Sequence, residues 1–136
     1  MFHLSTSVCP CGRLSTRSQP LTYVSCCGRY IEHFDVTAAP DAQSLMRSRY
    51  SAFVLQRVNY LLATWHSSQR PATLELEPQA QWLGLEVRGQ RSVGVDHAEV
   101  EFVARYRVAG RAVRLHERSR FVREAGRWYY VDGDNG

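Results

Sequence analysis

Four cysteines stand within the first 27 residues of a 136-residue chain, and the 109 residues after them carry none. Cys9-Pro10-Cys11-Gly12 is a tight pair, and Cys26-Cys27-Gly28 supplies two more thiols. Four thiolates fill a tetrahedral zinc shell, and a shell with no open position is structural rather than catalytic. His3 or His33 could stand in for one thiolate. A segment this small cannot hold itself together by apolar burial, so bound metal would supply its folding energy, on the order of 10 kcal/mol. The alternative is four free or redox-active thiols. Against it, a Cys-x-x-Cys redox pair is absent, and a bond between adjacent Cys26 and Cys27 would be strained. Met1–Ser7 is too short and too polar for a secretory leader, and no window approaches 18 consecutive apolar residues. The expected setting is soluble, reduced and cytoplasmic, where clustered cysteine more often means metal than disulfide.

Composition narrows the rest. Hydrophobic residues make up 44% and charged residues 22%, ordinary for one soluble domain with a small appendage. All 17 basic side chains are arginine. The lack of lysine removes Schiff-base chemistry and the phosphate-loop lysine together. A net charge of +4 permits an anionic partner without requiring one.

Three segments differ in pattern. Residues 1–33 are rich in Cys, Ser and Gly. Residues 40–66 read as helical: Pro40-Asp41 makes a helix start, and Leu45, Met46, Tyr50, Phe53, Val54 and Val58 recur at three- and four-residue spacing. Asn59 can cap a second, shorter helix with Leu61, Leu62 and Trp65 on one face, ended by Ser67–Pro71. Residues 71–81 carry no clear pattern. Residues 82–132 alternate as strands. Trp82–Arg88 is one; in Glu99–Val108, Val100, Phe102, Ala104, Tyr106 and Val108 share a face. A three-residue turn, Ala109-Gly110-Arg111, leads to a strand with Val113, Leu115, Glu117, Ser119 and Phe121 on one face. Ala125-Gly126 turns into Trp128–Val131, with Asp132 a turn former before Gly133. Asp96 shapes the Gly94–His97 turn. Helices followed by an antiparallel meander predict an α+β fold, a curved sheet with helices packed on its concave face. The domains would be 1–33, a zinc-binding knuckle, and 34–136, the α+β body.

Cys-Pro-Cys-Gly followed by Cys-Cys-Gly-Arg-Tyr resembles the SEC-C zinc motif. Leu45–Phe53, Thr64-Trp65-His66, Glu117–Phe121 and Trp128–Gly133 resemble the YchJ family of uncharacterised bacterial proteins, over Cys9 to Gly133. The resemblance implies a SEC-C knuckle on a cone-like domain similar to nuclear transport factor two and ketosteroid isomerase. Two departures stand out. The stretch Gly12–Ser25 is longer than usual for the motif, so its extra residues around Ser15–Pro20 should bulge away from the metal at little closure cost. The second, C-terminal SEC-C motif carried by many relatives has no counterpart before Gly136.

A cone of this kind often encloses a pocket, though fold does not fix function. Glu117 and Ser119, on the apolar face of their strand, are candidate pocket-lining groups with His66, Trp65, Tyr50 and Phe102. A desolvated Glu117 could act as a base; paired with Arg47 or Arg49 it would only lock helix to sheet. His66 could serve as acid or base, or cap helix carbonyls. No zincin, dinucleotide or nucleophile-elbow motif is present. Arg47, Arg49, Arg118 and Arg120, with aromatic neighbours, invite an RNA reading, but Glu99, Glu101 and Glu117 lie in the same strands.

The expected function is therefore binding rather than catalysis: an adaptor for a protein or ribonucleoprotein, with no catalytic residue assigned. A homodimer through the exposed sheet face is an expectation by analogy. The rivals are RNA binding and a small-molecule receptor or isomerase- or hydrolase-like enzyme using the pocket. A cavity of roughly 300 Å3 or more with the polar groups converging would favour the pocket. An interior filled by Phe53, Trp65, Phe102 and Phe121 would count against it.

Overall fold

The computed structural model describes residues 7–135. Helix α1 is the short Gly28–Ile31, α2 is Ala42–Leu55 and α3 is Val58–Ala63. Four strands follow: β1 Gln81–Ser92, β2 His97–Val108, β3 Arg111–Glu124 and β4 Arg127–Asn135. They form one antiparallel meander in the order β1-β2-β3-β4, giving the α+β fold the strand alternation predicts. Register shifts beside Gly84 and Gly89 in β1, and at Val131 of β4 opposite Arg120 and Phe121, are bulges, and bulges bend and twist a sheet.

The β2–β3 hairpin is tighter than expected, while Ala125-Gly126 is the turn the sequence predicts. Ala109-Gly110 is a two-residue turn with φ of 51° and 77°, and Arg111 already belongs to β3. Positive φ at both central residues matches the right-handed twist of the strands on either side. Asp132 is not a turn residue, because β4 continues through it and it pairs with Arg120 across the sheet (Oδ1 to Nε, 2.6 Å). Asp96 does more than shape its turn: its carbonyl accepts from Arg123 N–H at 2.7 Å, tying the β1–β2 turn to β3.

Asp41 caps α2, its Oδ1 accepting from Ser44 N–H at 2.7 Å. Gln56, in the left-handed region at φ 59°, ends α2 and turns the chain into α3. That second helix starts at Val58, one residue before Asn59, and stops at Ala63. The spacing predicts an amphipathic α2, but it is buried almost all round, including Ser44, Ser48, Arg49 and Ser51. Such a helix needs neighbours on two sides. On one side is the sheet, where Leu45, Met46, Val100 and Phe121 share a core with Tyr60 and Leu61. On the other is the cysteine segment, whose four thiols share a second core with Tyr23, Tyr50 and Ala104.

Contacts therefore cross the 33/34 boundary. Arg13 Nη1 donates to Ser44 Oγ at 2.9 Å, and Arg47 Nη1 donates to the Cys11 carbonyl at 3.1 Å. The long Gly12–Ser25 stretch is a small hairpin, with bridges at Val8↔Thr22 and Leu14↔Pro20, whose tip from Thr16 to Pro20 is exposed.

Candidate metal centre and ligand cavity

The N-terminal hairpin carries Cys9 and Cys11, and α1 with its entry carries Cys26 and Cys27. Cys9 N–H donates to the Leu21 carbonyl at 2.9 Å, and Arg29 Nε donates to the Cys26 carbonyl at 2.9 Å. These links place all four sulfurs within 4.8 Å of one another. A tetrahedral zinc–thiolate shell needs sulfurs about 3.8 Å apart, so a slight contraction would close it. All four residues are at most 2% exposed, and all four are free thiols. His33 stands outside this group; His3 lies outside the described residues.

The thiols act on each other. Hydrogen bonds from its neighbours hold the Cys9 thiol far below its ordinary pKa and bring Cys11 down to about 7. Cys26 and Cys27 are pushed up, since each meets sulfurs that already carry the negative charge. Four acids gathered in one dry place resist losing all their protons unless a cation replaces them. This is a donor set that could hold a metal ion. Helix α2 closes the side facing the body of the fold, with Ser51 Oγ at 3.6 Å from Cys9 Sγ.

The second site lies between α2 and the concave face of the sheet. There the chain surrounds a cavity of about 360 Å3. Phe102, Ala104 and Tyr106 of β2 and Leu115, Glu117, Ser119 and Phe121 of β3 form its floor. Their every-second-residue spacing is the strand alternation read from the sequence. Arg49, Tyr50 and Phe53 of α2 form one wall, Trp65 and Tyr130 another. Leu74–Glu77, Ala80 and Trp82 make the rim. The aromatic groups ring the cavity instead of filling it.

Five of the six predicted pocket residues border the cavity: Glu117, Ser119, Trp65, Tyr50 and Phe102. His66 does not. Trp65 is held extended by a bridge to Tyr130, and successive side chains of an extended chain point to opposite sides. His66 accordingly meets Glu124 (Nε2 to Oε2, 2.5 Å) and Ser68 (Nδ1 to Oγ, 2.7 Å) on the outside.

Glu117 pairs with neither Arg47 nor Arg49. Its Oε2 accepts from Ser119 Oγ at 2.5 Å and from Tyr130 Oη at 3.3 Å. It fits only because residue 133 is glycine: a Cβ there would stand 2.5 Å from Oε2. Burial, and then the Glu117 charge, push the Tyr130 hydroxyl up. Arg47 is spent on Gln43 and the Cys11 carbonyl.

Arg49 is the functional residue that sequence reasoning misjudged. It is 6% exposed and faces no carboxylate within 4.0 Å among the described residues. Its Nη1 donates to the Leu61 carbonyl and to Thr64 Oγ1, both at 2.7 Å, and so caps the end of α3. Its guanidinium lies against the T-shaped Trp65–Tyr130 pair, 5.3 and 4.6 Å from the two ring centres. Burial brings its pKa down to about 10, so it stays charged at neutral pH. The rim segment was missed as well, although Leu74-Glu75-Leu76-Glu77 has the two-residue period of an extended segment.

With this geometry in place, comparison with known proteins identifies the lineage. The family model of the YchJ middle domain, described as NTF2-like, matches residues 41–133. The chain belongs to the YchJ family. A UPF0225 protein of Polaromonas sp. is 65% identical over 93% of this chain and 91% of its own length. The UPF0225 protein of Methylibium petroleiphilum is 60% identical over 93% of this chain and 87% of its own. A SEC-C motif containing protein from Psychrobacter arcticus superposes with a TM-score of 0.79 at 33% identity, over 95% of this chain and 82% of that one. A SEC-C motif containing protein from Rhodopseudomonas palustris gives 0.76 at 31% identity, over 93% and 97%. In these terms, the NTF2-like middle domain carries the cavity, and the thiol cluster lies N-terminal to it. No helix among the described residues is long and apolar enough to cross a membrane.

Proposed function

We propose that this YchJ-family chain is a small-molecule-binding protein whose cone cavity is the working site and whose thiol cluster is a structural zinc centre. The observation that carries the reading is the cavity of about 360 Å3 with Glu117 and Ser119 converging on it inside an aromatic ring of Tyr50, Trp65 and Phe102. It exceeds the roughly 300 Å3 at which pockets begin to accept ligands. Binding is favoured over turnover, because among the described residues no histidine or cysteine borders the cavity, the chain has no lysine, and Glu117 is engaged by two hydroxyls.

Zinc at Cys9, Cys11, Cys26 and Cys27 is supported by an all-thiolate donor set, the dryness of the site and the short sulfur separations. Free thiols also suit a reduced, cytoplasmic setting. The RNA reading loses its basic patch. Arg49 is buried, Arg118 pairs with Glu101, and Arg120 is held by Asp132 and Asp134. The adaptor reading ranks second, favoured by exposed Val8, Leu14 and Val24 on the knuckle.

Titration with neutral indole, followed through the tryptophan Nε1–H resonances of 15N-labelled protein, tests the cavity. Two of the three tryptophans, Trp65 and Trp82, border it. A saturable change that Leu115→Trp abolishes is expected, since the larger ring fills the space. No saturable change would overturn the pocket reading. Elemental analysis of protein purified without added metal should find one zinc per chain; a metal-free, folded protein would return the thiols to redox chemistry.

A further inference from the structure

Burying a cation away from water costs several kcal/mol unless a partner compensates it. Arg49 is compensated only in part. The rings of Trp65 and Tyr130, their centres 5.3 Å apart, lie together against one side of its guanidinium, and Nη1 serves the end of α3. Its Nε and Nη2 have no acceptor among the described residues, yet no buried nitrogen is left wholly enclosed without a partner. Those two groups therefore retain some access, and the space Arg49 borders is the cavity. The fork formed by Nε and Nη2 is the geometry that receives a carboxylate through two parallel hydrogen bonds. A leucine or methionine would pack this wall without the desolvation cost.

The other charges on the cavity restrict the anion. Glu117 faces the interior, and exposed Glu75 and Glu77 stand on the rim. Three carboxylates against one arginine oppose a polyanion such as a nucleotide, while a single negative charge docked directly on Arg49 is tolerated. The remaining lining is aromatic and aliphatic. At about 30 Å3 per water-sized group, the cavity has room for roughly a dozen such groups.

We infer that the cavity takes a small aromatic monocarboxylate, its ring among Trp65, Phe102 and Phe121 and its carboxylate on Nε and Nη2 of Arg49. The inference rests on the cavity being a ligand site. It adds the chemical class of the ligand and the residue that reads it.

The experiment pairs acids with their neutral amides: phenylacetate with phenylacetamide, 3-phenylpropionate with 3-phenylpropionamide, and indole-3-acetate with indole-3-acetamide. Metal-loaded, 15N-labelled protein is titrated with each, following the Arg49 Nε–Hε resonance and the tryptophan indoles. At least one acid should bind about tenfold or more tighter than its amide and shift the Arg49 resonance. Arg49→Met should bind acid and amide alike. Because Arg49 also caps α3, Arg49→Lys serves if that variant does not fold: it keeps the charge, loses the fork and should lose most of the preference. Acids and amides binding equally, or a preference that survives in both variants, would overturn the arginine assignment and leave the cavity standing. Indole and all six probes failing to bind would overturn the cavity reading itself.

Discussion

The thiol cluster and the cone cavity each gather a handful of chemically active groups against α2, and they differ in what is left between those groups. At the cluster the four sulfurs close to within 4.8 Å, with no room for anything larger than an ion. At the cavity Arg49, Glu117, Ser119 and Tyr130 stand around about 360 Å3 of open space. A closed shell can only be filled once and then holds the chain together. An open one can exchange what it holds. The difference assigns stability to the first region and recognition to the second. Helix α2 serves both, with Arg47 and Ser51 turned toward the cysteines, Arg49 and Phe53 toward the cone, and Tyr50 touching each.

The largest effect should come from removing the metal. Chelation, or Cys27→Ser, should remove amide-exchange protection from residues 8–31, because metal-coupled folding is worth on the order of 10 kcal/mol. Strands β2 and β3 should keep theirs. Tyr50 and Ser51 should become more accessible, since the cluster packs on them. Unchanged protection at residues 8–31 would break the division between the two regions.

A smaller loss is expected from Gly133→Ala. The added methyl would collide with the Glu117 carboxylate, costing about 1–3 kcal/mol in a denaturant melt. It should alter the cavity without loss of metal. Asp41→Ala removes the cap of the helix both regions share, and should cost about 1 kcal/mol without changing either metal content or probe affinity. Smallest in stability is Leu115→Trp, expected to shift the melt by less than about 1 kcal/mol because the ring enters existing space, while ring-probe binding is lost.

Much of this was legible in the residues. The cysteine spacing marked the cluster, and the alternation through Phe102 and Leu115–Phe121 put Glu117 and Ser119 on the inward face. What escaped depends on tertiary context. The period of α2 cannot reveal that a second layer, the knuckle, covers its other side. The inward-facing Trp65 and outward-facing His66 are adjacent, and only the bridge to Tyr130 decides which points where. Arg49 reads like any helical arginine until Glu117 is found bonded to Ser119 and Tyr130 instead. Asp132 before Gly133 looks like a turn, whereas that glycine makes room for a carboxylate within a strand.

The most direct test is a 15N correlation spectrum of the metal-loaded protein during titration with neutral indole. Trp65 and Trp82 border the cavity and Trp128 does not, so the chain carries its own control. The account predicts saturable shifts of the Trp65 and Trp82 indole resonances, with Trp128 and the amides of Gly12 and Gly28 unmoved. Shifts centred on Trp128 or the knuckle, or none at all, would contradict it.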